Sequence, residues 1–142
     1  MLKISLVHPE ILEALSSAGH GSKVLIADGD YPVATTAGKN AKVVHLNLSP
    51  GVVNSTDVLK ALLETVPVED AAVMDVPEYR NEPEIWNIYR QLLKENAVDC
   101  EIKKVERFDF YYLIKQDDIA LIIQTGETRD YANLLLTLGS RF

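Results

Sequence analysis

Two residues eight positions apart, His20 and Asp28, are the side chains of this sequence best placed by type and spacing to move protons. Histidine's ordinary pKa, about 6.5, lets it give and take a proton at neutral pH. A nearby carboxylate can orient it or hold a hydroxyl. The stretch runs His8-Pro9-Glu10-Ile11-Leu12-Glu13-Ala14-Leu15, then Ala18-Gly19-His20-Gly21, then Val24-Leu25-Ile26-Ala27-Asp28, and on to Tyr31-Pro32. It predicts a helix, a loop carrying the imidazole, and a short buried strand with the carboxylate at its end. The glycines on either side of His20 would let backbone approach a ligand closely. A solvated loop histidine and a strand-end or Asx-turn aspartate fit the same residues. The pair alone decides nothing.

The elements that must position them follow from spacing. Pro9 suits a first helical turn, where its missing N–H costs nothing. Ile11, Leu12, Leu15 and Ala18 follow at helical spacing, and Gly19 is the expected left-handed stop. Lys23 to Ala27 reads as a buried strand, Gly29 to Lys42 as a loop, and Lys42 to Leu48 as a second strand. Asn54-Ser55-Thr56-Asp57 has capping chemistry ahead of a stripe of Val58, Leu59, Leu62, Leu63 and Val66. Ala71 to Val76 predicts a strand. Glu82-Pro83-Glu84 opens a helix with acids at its positive end and a core face of Ile85, Ile88, Tyr89 and Leu92. Val98 to Ile102 resembles a short strand. Glu106 to Lys115 reads as a helix whose aromatics Phe108, Phe110, Tyr111 and Tyr112 are assigned to the core, as is Trp86. Ala120 to Gln124 is a strand ending at Thr125-Gly126-Glu127. Asn133 to Leu138 fits helix or strand, and its brevity before Gly139 favours strand.

Alternating helices and short apolar runs predict an α/β fold, a single-domain layered sheet with helices on its faces, over residues 1–142. Ligands of such sheets collect at the carboxyl ends of strands. His20, Asp28, Tyr131 and Asn133 could converge there.

Charge and composition narrow the partners. Fourteen Lys and Arg stand against 21 Asp and Glu, a formal net charge of -7. Lys103-Lys104 is the only adjacent basic pair, so the clustered cations that nucleic acid requires are missing. Cys100 is the single cysteine, which excludes an intrachain disulfide and fits a reducing, cytoplasmic setting. Met1 to Val7 is too short for a secretory signal, and no apolar run approaches the ~20 residues of a membrane helix. The three histidines lack metal-ligand spacing and one thiolate cannot build a zinc site, so no metal is expected. Phosphate-binding glycine loops and a Gly-x-Ser-x-Gly nucleophile are absent.

Several motifs then fall into a familiar order. Leu12-x-x-Leu15 with Gly19-His20, Asp28-x-x-x-Pro32, Glu106-Arg107-Phe108-x-Phe110-Tyr111, Thr125-Gly126-Glu127 and Tyr131-Ala132-Asn133 span nearly the whole chain. Together they resemble the D-ribose pyranase/L-fucose mutarotase family, and Arg107-Phe108-x-Phe110-Tyr111 is nearer the fucose mutarotase branch. The resemblance implies a cofactor-free enzyme that interconverts ring or anomeric forms of a free monosaccharide. It also implies a ring-like homo-oligomer, often a decamer, with the sugar near a subunit boundary. The family's catalytic histidine falls on His20, its sugar-binding aspartate on Asp28, its arginine on Arg107, and its Tyr-x-Asn on Tyr131 and Asn133. Two departures leave the sugar open: Asp30 is an extra acid where the family commonly has Asp-Ala-x-x-Pro, and Ser49 to Asp99 contains little that matches.

Hemiacetal opening suits so sparse a site. One group must take the anomeric O–H proton and another must protonate the ring oxygen, each worth ~10²–10⁴-fold. On this reading His20 is the proton donor to the ring oxygen, oriented by Asp28. Tyr131 is its partner in proton transfer, and Asp28, Arg107 and Asn133 hold hydroxyls. Two other functions fit the same residues: a sugar-binding accessory protein of an uptake system, and a structural α/β oligomerisation module.

Overall fold

A computed structural model describes residues 1–142. Helix α1 (Pro9–Ser17) begins where His8 Nδ1 accepts the Ile11 N–H at 3.4 Å, and it buries Ile11 and Leu15. It does not stop at Gly19. Ala18 leaves the helix in an extended conformation (φ -73°, ψ 170°), and the left-handed residue is Gly21 at φ 84°. That turn sends the Gly21 N–H to the Leu138 carbonyl at 2.9 Å, so the glycine serves the helix-to-strand joint rather than the cap.

The other elements are β1 (Lys23–Ala27), α2 (Val33–Thr36), β2 (Lys42–His45), α3 (Ser55–Leu63), β3 (Val68–Met74), α4 (Glu84–Glu95), β4 (Ile102–Val105), α5 (Arg107–Ile114), β5 (Ile119–Gln124) and β6 (Leu134–Leu138). They form one six-stranded sheet in the order β2-β5-β1-β6-β3-β4. Only β6 runs against its neighbours; β1, β5 and β2 pair in parallel, as do β3 and β4. Five strands therefore end on one edge, and β6 begins there.

Alternation along the strands divides the apolar residues between two faces. Val24 and Ile26 of β1 and Leu134, Leu136 and Leu138 of β6 join the larger core under α1, α3 and α4. Leu25, Ala27 and Leu135 face the smaller one, closed by Tyr31, Val33 of α2 and Phe110 and Ile114 of α5. The layered sheet with helices on both faces is the expected architecture, and the ambiguous last segment is a strand from Leu134 to Leu138, with Asn133 just before it. No helix is long and apolar enough to cross a membrane.

Four local expectations are corrected. The loop after Asp28 contains the short helix α2, which follows Pro32. The strand expected at Val98 to Ile102 starts only at Ile102, because Ala97 turns left-handed (φ 57°) and the Val98 N–H still reaches back to Leu93 at 3.0 Å. On α4 the buried stripe is Ile85, Trp86, Tyr89, Leu92 and Leu93, with Ile88 at its exposed margin. On α5 only Phe110 of the four aromatics is fully buried; Phe108 and Tyr112 are 71% and 66% exposed.

The smaller core carries one polar defect. Tyr31 is 4% exposed, yet its hydroxyl has no hydrogen-bond partner; Thr36 lies beside it but donates to the Pro32 carbonyl. Burial pushes this phenol up to about 12. An unmade buried hydrogen bond costs about 1–3 kcal/mol. Tyr31→Phe is accordingly expected to raise stability by about 1 kcal/mol, which urea unfolding would register as a higher midpoint at unchanged slope.

Candidate active site

The edge where β1, β3, β4 and β5 end holds a cleft of about 240 Å³. Asp28, directly after β1, forms its floor and is 8% exposed. Asn133, directly before β6, clasps it from both sides. The Asn133 Oδ1 accepts the Asp28 backbone N–H at 2.8 Å, and its Nδ2 donates to Asp28 Oδ2 at 3.0 Å. The other carboxylate oxygen accepts the Asp30 N–H at 3.1 Å, an Asx turn that keeps the side chain over the strand end. Below it, Gln124 of β5 donates to the Asp28 carbonyl at 3.0 Å. Desolvation by burial, against the lowering effect of backbone donors from Asp30, Tyr31 and Ala132, raises the Asp28 carboxyl to about 6; the Asp30 charge adds to the rise. The extra acid of the motif thus lines the cleft and pushes Asp28 toward neutrality.

The loop from β5 to β6 makes the next wall. Glu127 is 3% exposed and accepts from the Ser55 N–H (3.1 Å), the Ser55 hydroxyl (2.9 Å) and Arg129 Nη2 (2.7 Å) on Oε2. The Arg129 N–H and Nε donate to Oε1, both at 2.9 Å. Burial alone would raise this carboxyl, but the donors outweigh it and lower it to about 2. Glu127 is therefore a fixed anion that holds the start of α3 and the loop together. Gly126 permits the approach: a Cβ there would overlap the Ser49 and Val52 carbonyl oxygens.

Tyr131 has the unusual backbone. It is a non-glycine residue at φ 55°, a conformation that costs an L-residue about 1–2 kcal/mol. Two buried aromatics of α4 hold it: the Trp86 indole donates to the Tyr131 carbonyl at 2.9 Å, and the Tyr89 hydroxyl donates to the Ala132 carbonyl at 2.6 Å. Trp86 is in the core as expected, and it also carries this donor. Helical spacing cannot reveal it, because a core tryptophan and a tryptophan aimed at a carbonyl recur at the same interval. Tyr89 reads only as core face and Ser55 only as part of a capping run, so their bonds at this site are equally hidden; Glu127 and Arg129 at least show opposite charges two residues apart.

Asp28, Arg107, Tyr131 and Asn133 all line the cleft. Arg107, the first residue of α5, has no carboxylate partner and lies 5.9 and 5.8 Å over the rings of Phe108 and Tyr111. His20 is elsewhere. It precedes β1, whereas Asp28 follows it, and five strand residues separate the two ends by roughly 16 Å. Its Nε2 lies 2.8 Å from Glu69 Oε2, with 60% of the His20 side chain exposed. The expected contact between His20 and Asp28 is thus not made within one chain, and the partner of Asp28 is Asn133.

Comparison with known proteins adds an independent finding. A model of the RbsD / FucU transport protein family matches residues 1–141. A fucose mutarotase of Danio rerio is 34% identical over 143 residues, covering 95% of this chain and 90% of that protein. A D-ribose pyranase of Staphylococcus haemolyticus is 30% identical over 142 residues, with 100% of both covered. The crystal structure of the fucose mutarotase from Streptococcus pneumoniae in complex with L-fucose matches with a TM-score of 0.86 at 28% identity, over 100% of each chain.

Proposed function

We propose, from the premise that this chain belongs to the RbsD / FucU transport protein family, that it is a sugar mutarotase: an isomerase that interconverts anomeric or ring forms of a free monosaccharide. The observation that carries the reading is the Asp28–Asn133 clasp on the cleft floor, a buried carboxyl near neutrality beside a fixed amide. The cleft is smaller than the ~300–1,000 Å³ of drug-sized pockets. That scale suits one sugar ring. Its lining offers carboxylates, an amide, a phenol and guanidinium groups, the partners that sugar hydroxyls need when they leave water.

The chemistry balances without any added group. Asp28 accepts the anomeric O–H proton while the bond from the anomeric carbon to the ring oxygen breaks. An acid delivers a proton to that ring oxygen, and the open-chain aldehyde results. Rotation and reclosure, with both protons returned, give the other anomer. Tyr131 lies over the same cleft as partner in proton transfer, while Asn133 and Arg107 fix hydroxyls.

His20 enters this scheme from a neighbouring subunit. It lies on the opposite sheet edge from its own cleft, so only a second copy can bring it to a sugar on Asp28. A homo-oligomer is therefore part of the reading, supported by the exposed Phe108 and Tyr112 beside the cleft. We also read residues 1–142 as one domain, working in the cytoplasm without a metal or cofactor.

The test is exchange NMR of anomers across L-fucose, D-ribose, D-galactose and D-arabinose, with sugar binding measured in parallel. Accelerated exchange supports the mutarotase. Binding without acceleration would replace it with an accessory sugar-binding protein, and neither signal would leave a structural module.

A further inference from the structure

We propose that Arg80 is the specificity-determining residue at the rim of this cleft, donating guanidinium N–H groups to sugar hydroxyls remote from the reacting carbon. The assignment rests on the mutarotase reading. Arg80 comes from the loop between β3 and α4, where a turn sends its N–H to the Pro77 carbonyl at 2.9 Å. Its guanidinium carbon stands 5.1 Å from the centroid of the Tyr131 ring. One nitrogen, Nη2, reaches Asp130 Oδ2 at 3.3 Å, and this is its only side-chain bond. Arg80 therefore brackets the strained residue from outside, as Trp86 and Tyr89 hold it from inside.

Three arginines line the cleft, and they differ in how far they are committed. Arg129 is held by Glu127 through two short bonds, from Nε and Nη2, and its Nη2 also reaches Thr56 Oγ1 at 3.4 Å. Arg107 lies over Phe108 and Tyr111 on α5. Arg80 is held by a ring face and one long ion pair, and its remaining donors are free to meet a ligand. With the anomeric carbon on the Asp28 floor, the hydroxyls at the far side of the sugar face this rim. A guanidinium presents several N–H donors in one plane and stacks on an aromatic face, whereas an ammonium does neither as well. A site that hydrogen-bonds a particular hydroxyl discriminates strongly against sugars lacking it.

The side chain is 40% exposed and its ion pair lies at the surface. Exposed pairs add little to stability, so Arg80→Ala should fold like the parent. Exchange kinetics are compared for the parent, Arg80→Ala and Arg80→Lys on L-fucose, L-galactose, D-arabinose and D-ribose. Arg80→Ala is expected to raise KM about tenfold for the preferred sugar, with kcat changed less than about threefold, and to compress the kcat/KM ratios among the four sugars. Arg80→Lys should recover only part of the preference. A uniform fall in kcat for every sugar with unchanged ratios, or unchanged KM, overturns the assignment. A parent protein that neither binds nor accelerates exchange of any sugar overturns the mutarotase reading itself, and the Arg80 assignment with it.

Discussion

Asp28→Asn is expected to reduce the acceleration of anomer exchange at least ~100-fold, the lower end for loss of one positioned acid or base. The amide keeps the shape of the side chain and one acceptor for Asn133, but it cannot take a proton. The same substitution should leave a distinctive mark on stability. The Asp28 carboxyl lies at about 6 in the folded chain against an ordinary 3.8. Well below pH 3.8 both folded and unfolded chains hold this proton, and the group contributes no difference. As pH rises toward 6 the unfolded chain releases it first, so this group costs the native protein stability. The cost is about 1.4 kcal/mol per pH unit over roughly two units, up to about 3 kcal/mol, and it levels off once the folded carboxyl has also ionised. Urea unfolding at pH 4 and pH 7 would show the asparagine variant gaining relative to the parent at the higher pH. A pH-independent difference would mean that Asp28 titrates normally and has no special readiness to exchange a proton.

Complementation between two inactive variants is the second large expected effect. His20 and Asp28 lie on opposite edges of the sheet, so in a homo-oligomer a working site needs His20 from one copy and Asp28 from the next. His20→Ala and Asp28→Asn should each be inactive alone. After joint unfolding and refolding, random assembly gives about one site in four an intact pair, and activity should return to about that fraction. If His20→Ala retains full exchange, the imidazole has no part in the chemistry. If mixing restores nothing while mixed oligomers demonstrably form, the two residues do not share a site.

Part of this geometry was legible in the sequence and part was not. Lys23 to Ala27 reads as a strand because its apolar run is short and bounded by turn residues, and Asp28 is then necessarily at a strand end. The expectation that Asp28 orients His20 overlooks the length of that strand, since five extended residues cannot bring their flanks together. The pairing of Asp28 with Asn133 was not legible. It depends on β6 lying antiparallel beside β1, a matter of sheet order that local periodicity does not carry. Tyr131 shows the same limit: nothing in Asp130-Tyr131-Ala132 demands a positive φ, and the donors that stabilise it come from a helix some 40 residues earlier. Arg80 lies in the stretch with the fewest recognisable motifs, and only the fold brings it over Tyr131.

The most direct measurement is two-dimensional exchange NMR on L-fucose at neutral pH, with the parent protein and Asp28→Asn run side by side. The rate joining the two pyranose anomers is expected to rise in proportion to the parent protein, while the asparagine variant stays near the spontaneous rate. An unchanged rate with the parent for L-fucose and for D-ribose, or equal acceleration by both proteins, would contradict this expectation.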